Sequence, residues 1–152
     1  MPEDEPLDPG IDPDVDLRVP GERAELHASG RVVAAVALGG MVGAVVRFVI
    51  AEAWPTSGFP WATFGVNLTG CFGLGALMAW LTDRESAHPL LRPFLGTGLL
   101  GGYTTFSTYA VEAEALLGSR PALGFAYLAA SVLLGLAAAY VGWAMLARRR
   151  DS

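Results

Sequence analysis

The sequence predicts an all-α membrane protein with four transmembrane helices, the third of which is broken in mid-membrane. The chain has 152 residues, 53% of them hydrophobic, and a mean hydropathy of +0.43, so it is too apolar for an ordinary soluble domain. The apolar residues form four stretches of about twenty residues or more with few or no charges, the length that a helix needs to cross a bilayer. In the third stretch, glycines and hydroxyl residues interrupt the apolar pattern.

Residues 1–30 differ in composition from the rest of the chain. They hold nine acidic residues, five prolines and only two arginines, with no apolar run, which is typical of a disordered segment. They lack the basic start and apolar core of a secretory signal, so we expect them to stay on the side where the chain is made. We therefore predict a disordered acidic tail at 1–30 and a transmembrane domain at 31–150.

Several function classes are disfavoured by composition and motifs. Beyond residue 30 the arginines only slightly outnumber the acids, so no nucleic-acid-binding surface is predicted. Cys71 is the single cysteine, which leaves no disulfide and no thiol pair for zinc. A GxGxxG match at residues 96–101 lies inside an apolar span, without the preceding strand that a nucleotide site requires. No HExxH or GxSxG motif indicates an enzyme.

The first span, residues 32–51, carries Arg47 as its only charge. Gly39 and Gly43 have GxxxG spacing, which favours close helix packing. Arg47 lies near the end of the span, so two interpretations stand side by side. Its side chain extends to the membrane interface, or it raises the local anion concentration at the mouth of a pore.

The second span, residues 62–81, has no charge but contains Asn67. An amide in the bilayer interior needs partners, so Asn67 should face protein or a water-filled path and not lipid. A hydrogen bond to a neighbouring helix is the simpler interpretation, and a place in a polar path is the functional one.

The third span, residues 93–115, contains the stretch 101–109, GGYTTFSTY. Two adjacent glycines are poor helix formers, and backbone that leaves a helix in lipid must find other partners. Exposed carbonyls would favour a cation such as Na⁺. Phe106 and Tyr109 share a helix face, and their ring edges, which carry partial positive charge, would suit a small anion. The alternative is a kink that only packs against neighbouring helices.

The fourth span, residues 122–147, is uncharged and is followed by three arginines. A four-helix bundle of this size is also compatible with a small secondary exporter of the drug/proton antiporter type. Such an exporter needs a titratable carboxylate deep in a helix. Glu112 and Glu114 lie near the end of the third span, so the sequence favours this alternative less than a channel.

Together, these stretches resemble a known family, the small fluoride channels called Fluc or CrcB. The resemblance covers roughly residues 32–147, and the third-span block is its most specific part. The matching stretches are GGMVGAVVR at 39–47, TFGVNLTG at 63–70, GGYTTFSTY at 101–109, and the pair Tyr127 and Ser131.

The resemblance implies passive fluoride efflux through a dimer of two antiparallel four-helix subunits with two pores. It implies a structural Na⁺ at the dimer centre, held by the main-chain carbonyls of Gly101 and Thr104. It also implies a set of pore residues. Those residues are Asn67 and Phe106, with Tyr109 where the family typically has phenylalanine, a polar face formed by Tyr127 and Ser131, and Arg47 at the vestibule.

The distribution of arginines predicts an orientation. With four spans, both termini and the 82–92 loop face one side, which carries eight arginines, whereas the other side carries only Arg120. Cytoplasmic loops carry the basic excess, so we expect both termini in the cytoplasm and the chain in the cell membrane. Because the dimer needs two opposite orientations, we hypothesise pairing with an oppositely oriented paralogue. A homodimer of chains that insert in both directions is the alternative.

Overall fold

The computed structural model describes residues 20–54, 58–82 and 88–147, with side chains described from Ser29 onward. No β-strand occurs within these ranges. The helices are α1 (Pro20–Ala53), α2 (Trp61–Thr82), a π-helical segment (Pro93–Leu100) that continues directly into the short α3 (Gly101–Tyr103), α4 (Ser107–Ser119) and α5 (Pro121–Ala147).

The predicted all-helical membrane class is confirmed. Three helical stretches are long and apolar enough to cross a membrane, namely Ser29–Ala53, Trp61–Thr82 and Pro121–Ala147. They correspond to the first, second and fourth predicted spans, with ends shifted by only a few residues. The predicted third span is divided among the π-helical segment, α3 and α4.

The predicted tail is only partly described. The backbone is helical from Pro20, so residues 20–30, assigned to the tail from sequence, belong to α1. Residues 1–19 lie outside the described part of the chain. So do residues 84 and 148–150, four of the arginines on which the predicted orientation depends.

The helices pack in two main pairs, and glycines bring the backbones close in both. α1 lies against the π-helical segment and α3, whereas α2 lies mainly against α5. In the first pair the backbones touch: a Cβ atom built on Gly43 would overlap the Leu99 carbonyl oxygen and lie 2.7 Å from the Tyr103 nitrogen. The small-residue spacing in α1 therefore serves helix contact, because a larger side chain at Gly43 would push the helices apart.

The chain leaves helical conformation between α3 and α4. Thr104 is extended, with φ −78° and ψ 160°, and regular helix resumes at Ser107. The glycines are not the residues that depart: Gly101 has ordinary helical angles of −66° and −38°. The non-helical residues 104–106 lie within the predicted stretch 101–109, and at Thr105 hydrogen bonds from Asn67 replace those of the helix.

Candidate functional site

Asn67 of α2 is bound to the backbone of the interruption through both ends of its amide. Its Nδ2 donates to the Thr105 carbonyl at 2.9 Å, and its Oδ1 accepts from the Thr105 N–H at 2.8 Å. This is the pairing that a neighbouring peptide group would offer. Asn67 therefore satisfies both polar groups of a residue that has left the helix, as backbone in lipid requires.

Threonine hydroxyl groups bond the helix ends on either side of the interruption. Thr104 Oγ1 donates to the Leu100 carbonyl at 3.0 Å, the same carbonyl that accepts from the Thr104 N–H. Thr105 Oγ1 accepts from the Thr108 N–H at 3.2 Å and caps the first turn of α4. The threonines of this stretch are thus explained by local hydrogen bonding to the backbone.

A cleft of about 360 Å³ opens beside the interruption. Four of the predicted pore residues line this cleft, together with both residues whose carbonyls are predicted to bind Na⁺. None of the lining residues is charged. Those six residues are Asn67, Phe106, Tyr109, Ser131, Gly101 and Thr104. The fold thus brings residues named from the sequence to one place, although they come from α2, α3, the interruption, α4 and α5.

Two features of the cleft suit a small ligand. Phe106 is 79% exposed in the single chain, so its ring edges are accessible. Ser131 has the opposite character: its hydroxyl oxygen is buried and has no hydrogen-bond partner among the described residues. A buried hydroxyl without a partner is costly, so a donor at this position is available for a bound ligand.

Aromatic rings continue from the cleft into the bundle. The Phe106 and Tyr109 ring centroids are 5.9 Å apart, and those of Tyr109 and Tyr127 are 5.2 Å apart. The Tyr109 hydroxyl donates to the Leu128 carbonyl at 3.3 Å. The hydroxyl that distinguishes Tyr109 from phenylalanine is therefore directed at α5 backbone. Tyr127 lies behind Tyr109 and is fully buried, so it does not line the cleft.

Arg47 reaches the interruption from α1. Its Nε donates to the Gly102 carbonyl at 3.2 Å, near the C-terminal end of α3, where a cation complements the helix dipole. Arg47 also lines a separate, smaller cavity of about 50 Å³ with Thr63, Thr105 and Thr108. The contact holds the guanidinium beside the interruption, and both interpretations left open by sequence stay predictions.

A cluster of one carboxylate and two hydroxyls, formed by Glu112, Thr63 and Tyr127, was not predicted from the sequence. Glu112 Oε1 accepts from the Thr63 hydroxyl at 2.8 Å, and its Oε2 accepts from the Tyr127 hydroxyl at 2.9 Å. The sequence analysis placed Glu112 near an interface and assigned it no partner, whereas its side chain lies half-buried between three helices. The available signal was its spacing from Tyr109, since residues three apart share a helix face.

These features define a class of protein: a helical membrane protein whose interrupted helix lines an uncharged cleft of hydroxyls, an amide and ring edges. The sequence pattern of the family described as "CrcB-like protein, Camphor Resistance (CrcB)" matches residues 34–143. The chain belongs to this family.

Curated relatives are similar over most of their length. The chain is 52% identical over 126 residues to "Fluoride-specific ion channel FluC 1" of Streptomyces coelicolor, covering 80% of this chain and 82% of that protein. It is 48% identical over 125 residues to "Fluoride-specific ion channel FluC 2" of Streptomyces avermitilis, covering 80% and 79%. It is 49% identical over 127 residues to "Fluoride-specific ion channel FluC 2" of Nocardia farcinica, covering 78% and 91%. These names describe channels and not enzymes.

Proposed function

We propose that this chain is a fluoride-specific ion channel that lowers cytoplasmic fluoride by passive efflux across the cell membrane. The observation that carries the proposal is the uncharged cleft lined by Phe106, Asn67 and Ser131, the last with a buried hydroxyl that has no partner among the described residues. The names of the relatives and the family membership support the same function.

The cleft has the chemistry that a conducting anion site needs. Ring edges and hydroxyl hydrogens attract an anion, while the absence of a charged residue in the lining keeps binding weak enough for release. Tyr109 would act through its ring, because its hydroxyl hydrogen is directed to the Leu128 carbonyl. Tyr127 would act indirectly, because its ring packs on Tyr109 and its hydroxyl orients Glu112.

The π-helical segment, α3 and α4 would together form a fourth, broken membrane span. A structural Na⁺ would bind the carbonyls of Gly101 and Thr104. The fit is supported by the hydrogen-bond pattern, because the N–H groups four residues ahead of both carbonyls donate elsewhere. Among the described residues no cluster of three His, Cys, Asp or Glu could hold a metal ion, so backbone oxygens are the available ligands.

The functional unit would be an antiparallel dimer. Phe106 is exposed beside the interruption, and a Cβ atom on Gly101 would meet nothing closer than 4.0 Å, so this face is open to a second subunit. We propose a cytoplasmic N- and C-terminus in the cell membrane and an oppositely oriented paralogue as partner, with a dual-topology homodimer as the alternative. Introduced cysteines in the tail and at the turn between α4 and α5 would decide, because an even split of each site between the two faces excludes a fixed orientation.

Glu112 is the observation that favours the second candidate, a small drug/proton exporter. It is a carboxylate held inside the bundle by two hydroxyls, which is closer to the exporter's requirement than the sequence suggested. An exporter of this type couples transport to protons, whereas a channel conducts down the fluoride gradient alone.

The test is fluoride release from liposomes containing the purified chain, followed with a fluoride electrode. Potassium fluoride is loaded inside, valinomycin allows potassium to leave, and both sides have the same pH. A channel releases fluoride rapidly under these conditions and retains chloride in a parallel loading. Release that requires a pH gradient would instead support the exporter. Release from this chain alone would argue against an obligatory paralogue.

A further inference from the structure

We propose that Asn67 is a positioning residue for the helix interruption, acting together with Thr105 to keep the carbonyls of Gly101 and Thr104 free of helical hydrogen bonds. This inference rests on the proposed function, in which those carbonyls bind a cation. It assigns Asn67 a role beyond lining the cleft.

The first step concerns the Gly101 carbonyl. In a continuous helix the N–H of residue i donates to the carbonyl of residue i−4, so the Thr105 N–H would bond Gly101. That N–H donates to Asn67 Oδ1 at 2.8 Å. The Nδ2 group of the same amide donates to the Thr105 carbonyl at 2.9 Å. This second bond keeps Thr105 out of helical conformation. A side chain of α2 thereby decides the conformation of a distant stretch.

The second step concerns the Thr104 carbonyl. Its helical donor would be the Thr108 N–H, which donates to Thr105 Oγ1 at 3.2 Å. Neighbouring carbonyls are treated differently: Leu100 accepts from the N–H and the hydroxyl of Thr104, and Gly102 accepts from Arg47. Two specific carbonyls are thus deprived of their donors, and each loses its donor to an identifiable side chain.

The third step is the consequence in a membrane. A carbonyl in lipid without a partner is costly, so the conformation persists only where a cation, water or another chain compensates. Asn67 and Thr105 would create the cation site by withholding donors. The amide of Asn67 has a second Nδ2 hydrogen, so a contribution to the cleft is compatible with this role.

The experiment compares Asn67→Leu, Asn67→Asp and Thr69→Val with the parent chain as the purified full-length protein. Asn67→Leu removes both hydrogen bonds to Thr105, and Asn67→Asp keeps an acceptor for the Thr105 N–H. Thr69→Val is the matched control, since Thr69 is on α2 and its hydroxyl contacts the Gly65 and Val66 carbonyls and the Tyr103 hydroxyl without touching residues 104–106.

Two measurements are made on each variant. Hydrogen exchange reports on the Thr105 amide, and the change in Tm when choline is replaced by Na⁺ reports on the cation. For Asn67→Leu we expect about tenfold or faster exchange at Thr105, the effect of losing one hydrogen bond, and loss of the Na⁺-dependent rise in Tm. The Thr69→Val control should keep the parental exchange rate at Thr105 and the Na⁺-dependent rise in Tm. Asn67→Asp should keep most of the protection of the Thr105 amide.

A folded Asn67→Leu protein with parental exchange and a parental Na⁺ shift would overturn the proposal, and reduced fluoride release with both unchanged would restrict Asn67 to the pore. If Asn67→Leu does not fold, Thr105→Val decides, because it removes the hydroxyl that holds the Thr108 N–H away from the Thr104 carbonyl. An unchanged Na⁺ shift would then overturn the idea. A parent chain with no Na⁺ shift would remove the cation from the proposed function, while the exchange measurement would still test Asn67.

Discussion

Two of the helix contacts in the described part of the chain are built on different principles. α1 meets the π-helical segment and α3 through backbone atoms, with glycines on both sides of the contact. α4 meets α2 and α5 through side chains, in a cluster where Thr63 and Tyr127 both donate to Glu112. One contact is specified by the absence of side chains, and the other by hydroxyls, a carboxylate and rings.

The difference indicates how each contact responds to substitution. A backbone contact has no side chain that can rotate away, so any added carbon must separate the helices. A side-chain contact tolerates an isosteric change and loses only the hydrogen bond that was removed. We therefore expect substitutions in the glycine contact to affect folding and those in the side-chain contact to affect conduction or stability by smaller amounts.

The largest effect should come from Gly102→Ala, compared with Gly101→Ala. A Cβ atom on Gly102 would overlap the Gly40 carbonyl oxygen and lie 2.9 Å from the Gly40 Cα, whereas one on Gly101 meets nothing closer than 4.0 Å. We expect Gly102→Ala to cost about 3 kcal/mol or more and to abolish recovery of folded protein in detergent. In a single chain Gly101→Ala should be mild.

Gly101→Ala also tests whether a second subunit covers the open face at Gly101. If Gly101→Ala leaves the monomer folded but prevents dimer formation on size-exclusion chromatography, the open face at Gly101 is covered by the second subunit. Equal tolerance of both alanines would show that the backbone contact is less close than described.

Phe106→Ile should have the next largest effect, on conduction and not on folding. The substitution keeps an apolar side chain but removes the ring edges, and we expect fluoride release to fall about tenfold or more, which corresponds to ~1.4 kcal/mol in the barrier. The control is Phe125→Ile, because Phe125 is also exposed but lies outside the cleft. Parental release from a folded Phe106→Ile protein would reduce Phe106 to a packing residue.

The two principles also explain which features could be predicted from sequence. The membrane-capable stretches were predictable because bilayer thickness fixes their length and composition, and α2 differs from its predicted span by one residue at each end. The positions of cleft residues followed from a motif. The stretch 101–109 was named from the sequence, but the bounds of the interruption at 104–106 were not, because glycine propensity is a local property whereas the hydrogen bonds from Asn67 come from another helix.

The partners of Glu112 escaped prediction for the same physical reason. Its position near the end of the span stays a prediction of an interface location, while the hydroxyls of Thr63 and Tyr127 reach it from two other helices. Such pairings depend on the rotation of each helix about its axis, and the nearly uniform apolar character of membrane helices gives little information about that rotation.

Substitutions in the cluster around Glu112 should have an intermediate effect on stability. Thr63→Val and Tyr127→Phe each remove one donor to Glu112, and we expect each to cost about 1–2 kcal/mol, measured as a lower Tm in detergent. In a Glu112→Gln background both costs should shrink, because the charge that strengthened the two bonds is gone. Costs that are equal in the parent and in the Glu112→Gln background would mean that the hydroxyls act through packing alone.

The smallest effect should come from Thr104→Ser. This substitution tests whether the backbone carbonyl and hydroxyl of Thr104 are sufficient without its methyl group. Serine keeps the hydroxyl bond to the Leu100 carbonyl and the main-chain carbonyl, and it removes only Cγ2, so we expect a cost of about 1 kcal/mol and near-parental fluoride release.

The same methyl group provides a rescue test between the two kinds of contact. A Cβ atom on Gly70 of α2 would overlap Thr104 Cγ2, which is a side-chain atom and can be removed by substitution. Gly70→Ala alone should cost about 1–3 kcal/mol, and Gly70→Ala combined with Thr104→Ser should recover most of that loss in Tm. No matching rescue exists for Gly102→Ala, because the atoms it meets are backbone. A double variant that is as unstable as Gly70→Ala would indicate that α2 approaches the interruption through its backbone as well.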